Sequence, residues 1–185
     1  MTGLIILAII VAVIGYAIFL YNDLVSKRQL KEEGWSGIDV QLKRRTDLIP
    51  NLMETVKGYM SHERDTLEAV VKARAAATSG ANAGPAERSA LEGQLSGALG
   101  KLLAVAEAYP DLKANTTFLE FQDALRGVED EIQLARRYYN GAVRNLNTSV
   151  ESFPQNVIAN AFKFSKDEYF ELENEADRAV PSVKF

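Results

Sequence analysis

Residues 35–74 read WSGIDVQLKRRTDLIPNLMETVKGYMSHERDTLEAVVKAR, and the spacing inside this stretch decides the fold class. Trp35, Ile38, Leu42, Arg45, Ile49, Leu52, Val56, Tyr59, Glu63, Leu67, Val70 and Arg74 follow one another in steps of three and four. That spacing keeps side chains on one face of an α-helix. The stretch therefore predicts a helical seam with a few charges among its apolar positions. Pro50 falls inside it. A proline removes one backbone hydrogen bond and crowds the preceding turn, so a kink is expected, or else a fresh start capped by Asp47. The seam keeps its phase across Pro50, which favours the kink. The helix is expected to end in the loop-like run 78–84, TSGANAG.

The same period governs the chain that follows. Pro85 suits the first position of a second helix, whose face is marked by Leu91, Leu95, Leu99, Leu102, Ala106 and Tyr109 before Pro110. Asn115 or Thr116 caps a third. Its seam runs Phe118, Phe121, Leu125, Val128, Ile132, Ala135, Tyr139, Ala142 and Leu146, reaching Val150 and Phe153. After Pro154 a shorter piece offers Val157, Ile158, Ala159, Phe162 and Phe164, and a tail of acids interleaved with aromatics closes the chain. No segment alternates convincingly with period two. The expected architecture is all-α: an antiparallel bundle of three long helices and a shorter fourth, spanning residues 23–165, with the tail at 166–185.

Towards the N-terminus the composition changes abruptly. The chain has 185 residues, 47% of them hydrophobic, and a net charge of −4, averages that suit a soluble protein. Yet residues 1–22 carry no charge, and every residue from Leu4 to Tyr21 is apolar except Gly15. Gly3 to Tyr21 would make about 28 Å of helix, close to the ~30 Å of a hydrocarbon core. It is apolar on every face, lacks a basic flank before it and ends without a small-x-small cleavage site, which argues for a retained membrane anchor and against a cleaved signal peptide. Lys27, Arg28 and Lys31, then Lys43, Arg44 and Arg45, follow the span. The positive-inside rule therefore places the N-terminus outside and the bundle in the cytoplasm. The bilayer is thus the expected partner of residues 4–21. Ala8, Ala12 and Gly15 offer a weak small-residue face for helix approach.

Reactive chemistry is sparse. With no cysteine and one histidine, His62, the chain lacks a disulfide framework, a thiol nucleophile, a cysteine-ligated metal and a histidine-rich metal site. His62 beside Glu63 has no Glu-x-x-His companion, so no metal or cofactor is expected. Arg45 lies on the apolar seam and needs an acceptor. Glu129 and Arg136, seven apart on the third long helix, are plausible partners for Arg45 or Glu63 in an inter-helix ion network that fixes register. Arg136 to Asn140, RRYYN, mixes bases and aromatics. It lies mid-helix with Tyr139 inward and acids 129–131 nearby, which argues against nucleic acid. No phosphate loop, nucleophile elbow or zinc-protease motif occurs.

Three segments together resemble the LemA family. They are Arg44-Arg45-Thr46-Asp47-Leu48-Ile49-Pro50-Asn51-Leu52 with Gly58, Tyr59, His62 and Glu63; Ala135 to Asn140; and Phe153-Pro154-Gln155-Asn156-Val157-Ile158-Ala159 with Phe162 and Phe164. The resemblance covers nearly the whole chain. It implies a bacterial protein with a single-pass anchor and an all-helical bundle containing one unusually long helix. It brings no established enzymatic activity, and relatives in magnetosome-forming systems imply a link to membrane shaping.

The expected function is that of a non-enzymatic, membrane-anchored scaffold that self-associates as a homo-oligomer in the bacterial inner membrane and organises or remodels it. The alternative is an adaptor that recruits a membrane protease or another membrane enzyme, with the charged patch around Arg44 as the docking surface. A hydrolase or metalloprotein centred on His62 or the acids 129–131 is a remote third. The aromatic segment 153–164 either caps the end of the bundle or presents an apolar surface to a subunit, a partner or the membrane face.

Overall fold

A computed structural model describes residues 1–171, and among these the ordered elements are helices alone. They are α1 (Thr2–Lys57), α2 (Arg64–Ser79), α3 (Pro85–Ala106), α4 (Pro110–Lys113), α5 (Thr116–Glu151) and α6 (Gln155–Ala161). The acidic tail expected at 166–185 lies outside the described residues from position 172 on.

The chain divides into two compact units. One comprises residues 1–37 and 135–169, and the other residues 38–134 with Phe170 and Glu171 of the described chain. α1 and α5 are long enough to supply residues to both. In the first unit, Leu24, Leu146 and Ala159 are buried together, with Val150, Ile158 and Phe164 packed against them. In the second, a larger core takes Ile49, Leu52, Met53 and Val56 from α1, Leu67 and Val70 from α2, Leu95, Leu99 and Leu102 from α3, and Phe118 and Leu125 from α5. α2 and α3 form a hairpin joined through residues 80–84. Pro85 opens α3 at its first position. Asn115 caps α5, its side-chain oxygen accepting the Phe118 N–H at 3.0 Å.

The expected helix over 35–74 is divided: α1 ends at Lys57 and α2 begins at Arg64. The interruption falls at Gly58, eight residues beyond Pro50. Gly58 is a poor helix former, and Ser61 and His62 after it are weak ones. At the end of α1, the Val56 carbonyl accepts from both Tyr59 N–H, at 3.0 Å, and Met60 N–H, at 2.9 Å. Met60 is buried in the core of the second unit, and this anchors the turn. The seam keeps its spacing through the break because both helices face the same core, so the period alone cannot reveal it.

α1 passes through Pro50 without ending. Proline has no N–H to give the Thr46 carbonyl one turn back, which would leave an orphan acceptor. Arg74 on α2 fills the vacancy: its Nε donates to the Thr46 carbonyl at 3.1 Å. A side chain from the neighbouring helix thus replaces the hydrogen bond that the proline removes, and the helix continues.

Candidate functional site

Most of the residues singled out by the sequence fall into three polar clusters and an aromatic segment. The first is a buried ion network in the second unit, built on the Arg45 guanidinium. Its Nη1 donates to Glu129 at 2.5 Å and to Ser96 Oγ at 2.7 Å, while Nη2 donates to Glu92 at 2.5 Å. Arg45 is fully buried and Glu92 is 1% exposed. Arg88, one turn before Glu92, donates to Asp39 at 2.6 Å and to the Ala81 carbonyl, and its Nε stands 3.8 Å from the second Glu92 oxygen. Charges from α1, α3 and α5 therefore meet in one chain of contacts.

Glu129 is the acceptor that spacing suggested, whereas Arg136 belongs to the first unit and takes no part. Glu92 was missed. Its signal is the i, i+4, i+8 row Arg88, Glu92, Ser96 beside the leucine face of α3, a polar stripe masked by the stronger apolar one.

The second cluster pins the break between α1 and α2. Glu63 accepts the Tyr109 hydroxyl at 2.8 Å, a bond that, with burial and the Glu63 charge, raises the Tyr109 pKa. Asn115 donates to the Tyr59 hydroxyl at 3.1 Å, so one side chain both caps α5 and ties down the turn. His62 is exposed on this turn. Arg44, Asp47, Pro50 and Asn51 are exposed on α1, with Asp47 paired to Lys43 at 3.3 Å. Among the described residues, no three Asp, Glu, His or Cys side chains converge as metal ligands would.

The third cluster belongs to the first unit. Tyr139 is buried, its ring 5.4 Å from that of Trp35 and its hydroxyl donating to the Glu168 carbonyl at 2.9 Å. Burial, then the nearby Asp167 and Glu168 carboxylates, pushes its pKa up to about 12. Asn147 brackets Asp167, donating to its carbonyl and accepting from its N–H, each at 2.9 Å. Lys31 pairs with the Asp167 carboxylate at 3.1 Å. Asn140, in the same motif, is half-buried on α5.

The aromatic segment lies against α1 in the same unit. The Phe162 ring is 4.8 Å and the Phe164 ring 5.9 Å from that of Tyr21, and Arg28 lies over Phe164 at 5.2 Å. Gln155 donates to Asp23 at 3.0 Å, and Lys27 bonds both Asp23 and Ser149. Pro154 precedes α6, and Asn156 holds a buried side-chain oxygen with no hydrogen bond among the described residues. Ile158 and Ala159 face inward, whereas Phe153, Val157 and Phe162 are 81%, 57% and 59% exposed. The segment thus both caps the unit and presents an apolar surface.

From Leu4 to Phe19 the side chains of α1 stand exposed, apart from half-buried Ala17 and with Gly15 among them, and cover by the fold begins at Leu20. An apolar helix that continues into an all-helical fold, with Arg45 of its charged segment buried in an ion network between helices, defines a membrane-associated helical protein. The chain belongs to the LemA family, whose family model matches residues 34–185. It is similar to Magnetosome protein MamQ 2 of Paramagnetospirillum magneticum, 26% identical over 92% of this chain and 72% of that protein. Protein LemA of Metamycoplasma hominis is 29% identical over 79% of this chain and 68% of its own length. Magnetosome protein MamQ of Magnetospirillum gryphiswaldense is 24% identical over 92% of this chain.

Proposed function

We propose that the protein is a membrane-anchored, non-enzymatic scaffold of the bacterial cell membrane. Residues 4–21 span the bilayer, the N-terminus lies outside and the helical units lie in the cytoplasm. Copies associate with one another and organise or bend the membrane. The observation that carries this reading is the run of exposed apolar side chains from Leu4 to Phe19 on a helix that continues, without a loop, into the folded chain. Burying that surface in hydrocarbon removes its cost in water. Lys27, Arg28 and Lys31 support the orientation, and the magnetosome proteins among the relatives support membrane organisation. The buried charges support a structural role, since Arg45 of the first motif is consumed, with Glu92 and Glu129 outside the motifs, in holding helices to one another.

Mass measurement of the full chain in lipid nanodiscs tests self-association. Multiples of the 20.4 kDa protomer are expected, and a monomer at every concentration overturns the claim. Protease added outside intact cells should spare residues beyond Tyr21, and cleavage there reverses the orientation. A second reading, an adaptor for a membrane enzyme, is favoured by Arg44, Asp47 and Asn51, which share one exposed face of α1 at i, i+3 and i+7. Crosslinking in cells separates the two: a scaffold traps copies of itself, an adaptor one dominant foreign partner.

A further inference from the structure

We propose that α6 and its flanks form a second, interfacial membrane contact, a foot that inserts Phe153, Val157 and Phe162 into the same leaflet from which α1 emerges. The inference rests on residues 4–21 spanning the bilayer, and goes beyond that reading by assigning the lipid surface as the occupant of the exposed aromatic face.

The depth of the foot follows from its contacts with α1. Asp23 is the first charged residue of the chain and Tyr21 sits on the last turn of the uncharged stretch, so these two residues mark where hydrocarbon gives way to headgroups. α6 begins at Gln155, which is bonded to Asp23, and is followed at once by Phe162, whose ring packs on Tyr21. Asp23 and Tyr21 are only about 3 Å apart along α1, whereas the seven residues of α6 measure about 10 Å. α6 therefore lies across α1, with both ends at the depth of the interface. Its inner residues, Ile158 and Ala159, pack on the core of the unit. Val157 and Phe162, with Phe153 just ahead of the helix, point away from that core and remain exposed. Exposed aromatic and aliphatic side chains beside the end of a span continue the apolar surface of the span itself, and aromatics are the side chains best suited to this layer.

Charge agrees with the assignment. Residues 21–28 and 151–166 hold four cations, Lys27, Arg28, Lys163 and Lys166, against two carboxylates, Asp23 and Glu151. Lys27 pairs with Asp23 and Lys166 with Glu151, which leaves Arg28 and Lys163 as the positive charge of these segments, ahead of the acids Asp167 and Glu168. A basic rim around an apolar face is what an anionic leaflet attracts. Lys163 is exposed between Phe162 and Phe164, where its amine can reach phosphate while its neighbours enter the acyl boundary.

The chain has no cysteine, so single nitroxide labels can be placed on the full-length protein in vesicles of phosphatidylethanolamine and phosphatidylglycerol. Labels at Phe153→Cys and Val157→Cys should collide more with oxygen than with a water-soluble nickel chelate, the reverse of a label at exposed Arg144→Cys. A label at Leu7→Cys, inside the span, reports the underlying reading independently. If Leu7→Cys reads lipid while both Phe153→Cys and Val157→Cys read water, the foot is overturned and the span stands. If Leu7→Cys itself reads water, the span fails, and the foot with it. Labels shielded from both reagents, with spin–spin broadening that disappears on dilution by unlabelled protein, would place a second copy on this face and also overturn the proposal.

Discussion

At the scale of single residues, Pro50 and Arg74 act as a pair, although they stand on different helices. The proline removes the donor that the Thr46 carbonyl would use, and the arginine supplies another. A carbonyl left without a partner away from water costs about 1–3 kcal/mol. Arg74→Met should therefore destabilise the protein by about 1–2 kcal/mol, and the loss should shrink when Pro50→Ala restores the backbone donor. Urea denaturation of the two single variants and the double variant measures the coupling; losses that simply add would show that Arg74 does not serve the proline. Arg45 makes a stricter case. Arg45→Met leaves Glu92, 1% exposed, without its closest cation, for an expected loss of about 3–5 kcal/mol. Arg45→Met with Glu92→Leu should recover part of that loss in the same measurement.

At the scale of elements, close approach of α1 and α5 in the first unit depends on a glycine. A Cβ on Gly34 would meet the Tyr139 Cα at 3.0 Å and the Tyr138 ring at 3.1 Å, whereas one on Gly37 would meet nothing within 4 Å. Gly34→Ala must push backbone and is expected to cost about 1–3 kcal/mol. Gly37→Ala only improves helix propensity and should add about 0.5–1 kcal/mol. Thermal unfolding followed by circular dichroism reads both, and equal effects would show that the contact at Gly34 yields freely. The helices themselves were legible in the sequence, because period, proline placement and the Asn115 cap all act locally. The end of α1 at Lys57 was not, since it depends on Met60, Tyr109 and Asn115 gripping a turn whose flanking helices share one seam. A smaller part of the ion network was legible, Arg45 and Glu129. Glu129 follows from the need of a buried arginine for an acceptor, but Glu92, with Arg88 one turn before it, lies beside a leucine row that conceals it, and Asp39 joins only through Arg88. The aromatic segment was legible as an apolar cluster. Its division into an inner face at Ile158 and Ala159 and an outer one at Phe153, Val157 and Phe162 is a property of packing.

At the scale of the whole molecule, alkaline pH tests how far stability depends on one buried hydroxyl. Tyr139 holds its proton up to about 12 in the folded protein, against 10.0 for an ordinary tyrosine. Between those values the unfolded chain loses the proton first, so stability contributed by the neutral hydroxyl is complete below pH 10 and is lost as pH rises towards 12. The loss across that window is on the order of 2 kcal/mol. Tyr139→Phe should cost about 1 kcal/mol at neutral pH, through the bond to Glu168, and flatten the alkaline decline. Denaturation midpoints taken from pH 8 to 12 compare the two chains, and parallel curves would exclude Tyr139 as the source.

The uninterrupted passage of α1 from the apolar stretch into the first unit has a mechanical consequence. A span joined to its domain by a flexible linker can tilt in the bilayer while the domain stays still. Here Leu7, Leu24 and Gly34 ride on one helix. A span adapts to thicker or thinner hydrocarbon partly by changing its tilt. On the proposed reading of residues 4–21 as a span, each degree of that tilt is also a rotation of the part of the first unit carried on residues 20–37, and that unit follows bilayer thickness as a needle follows its gauge.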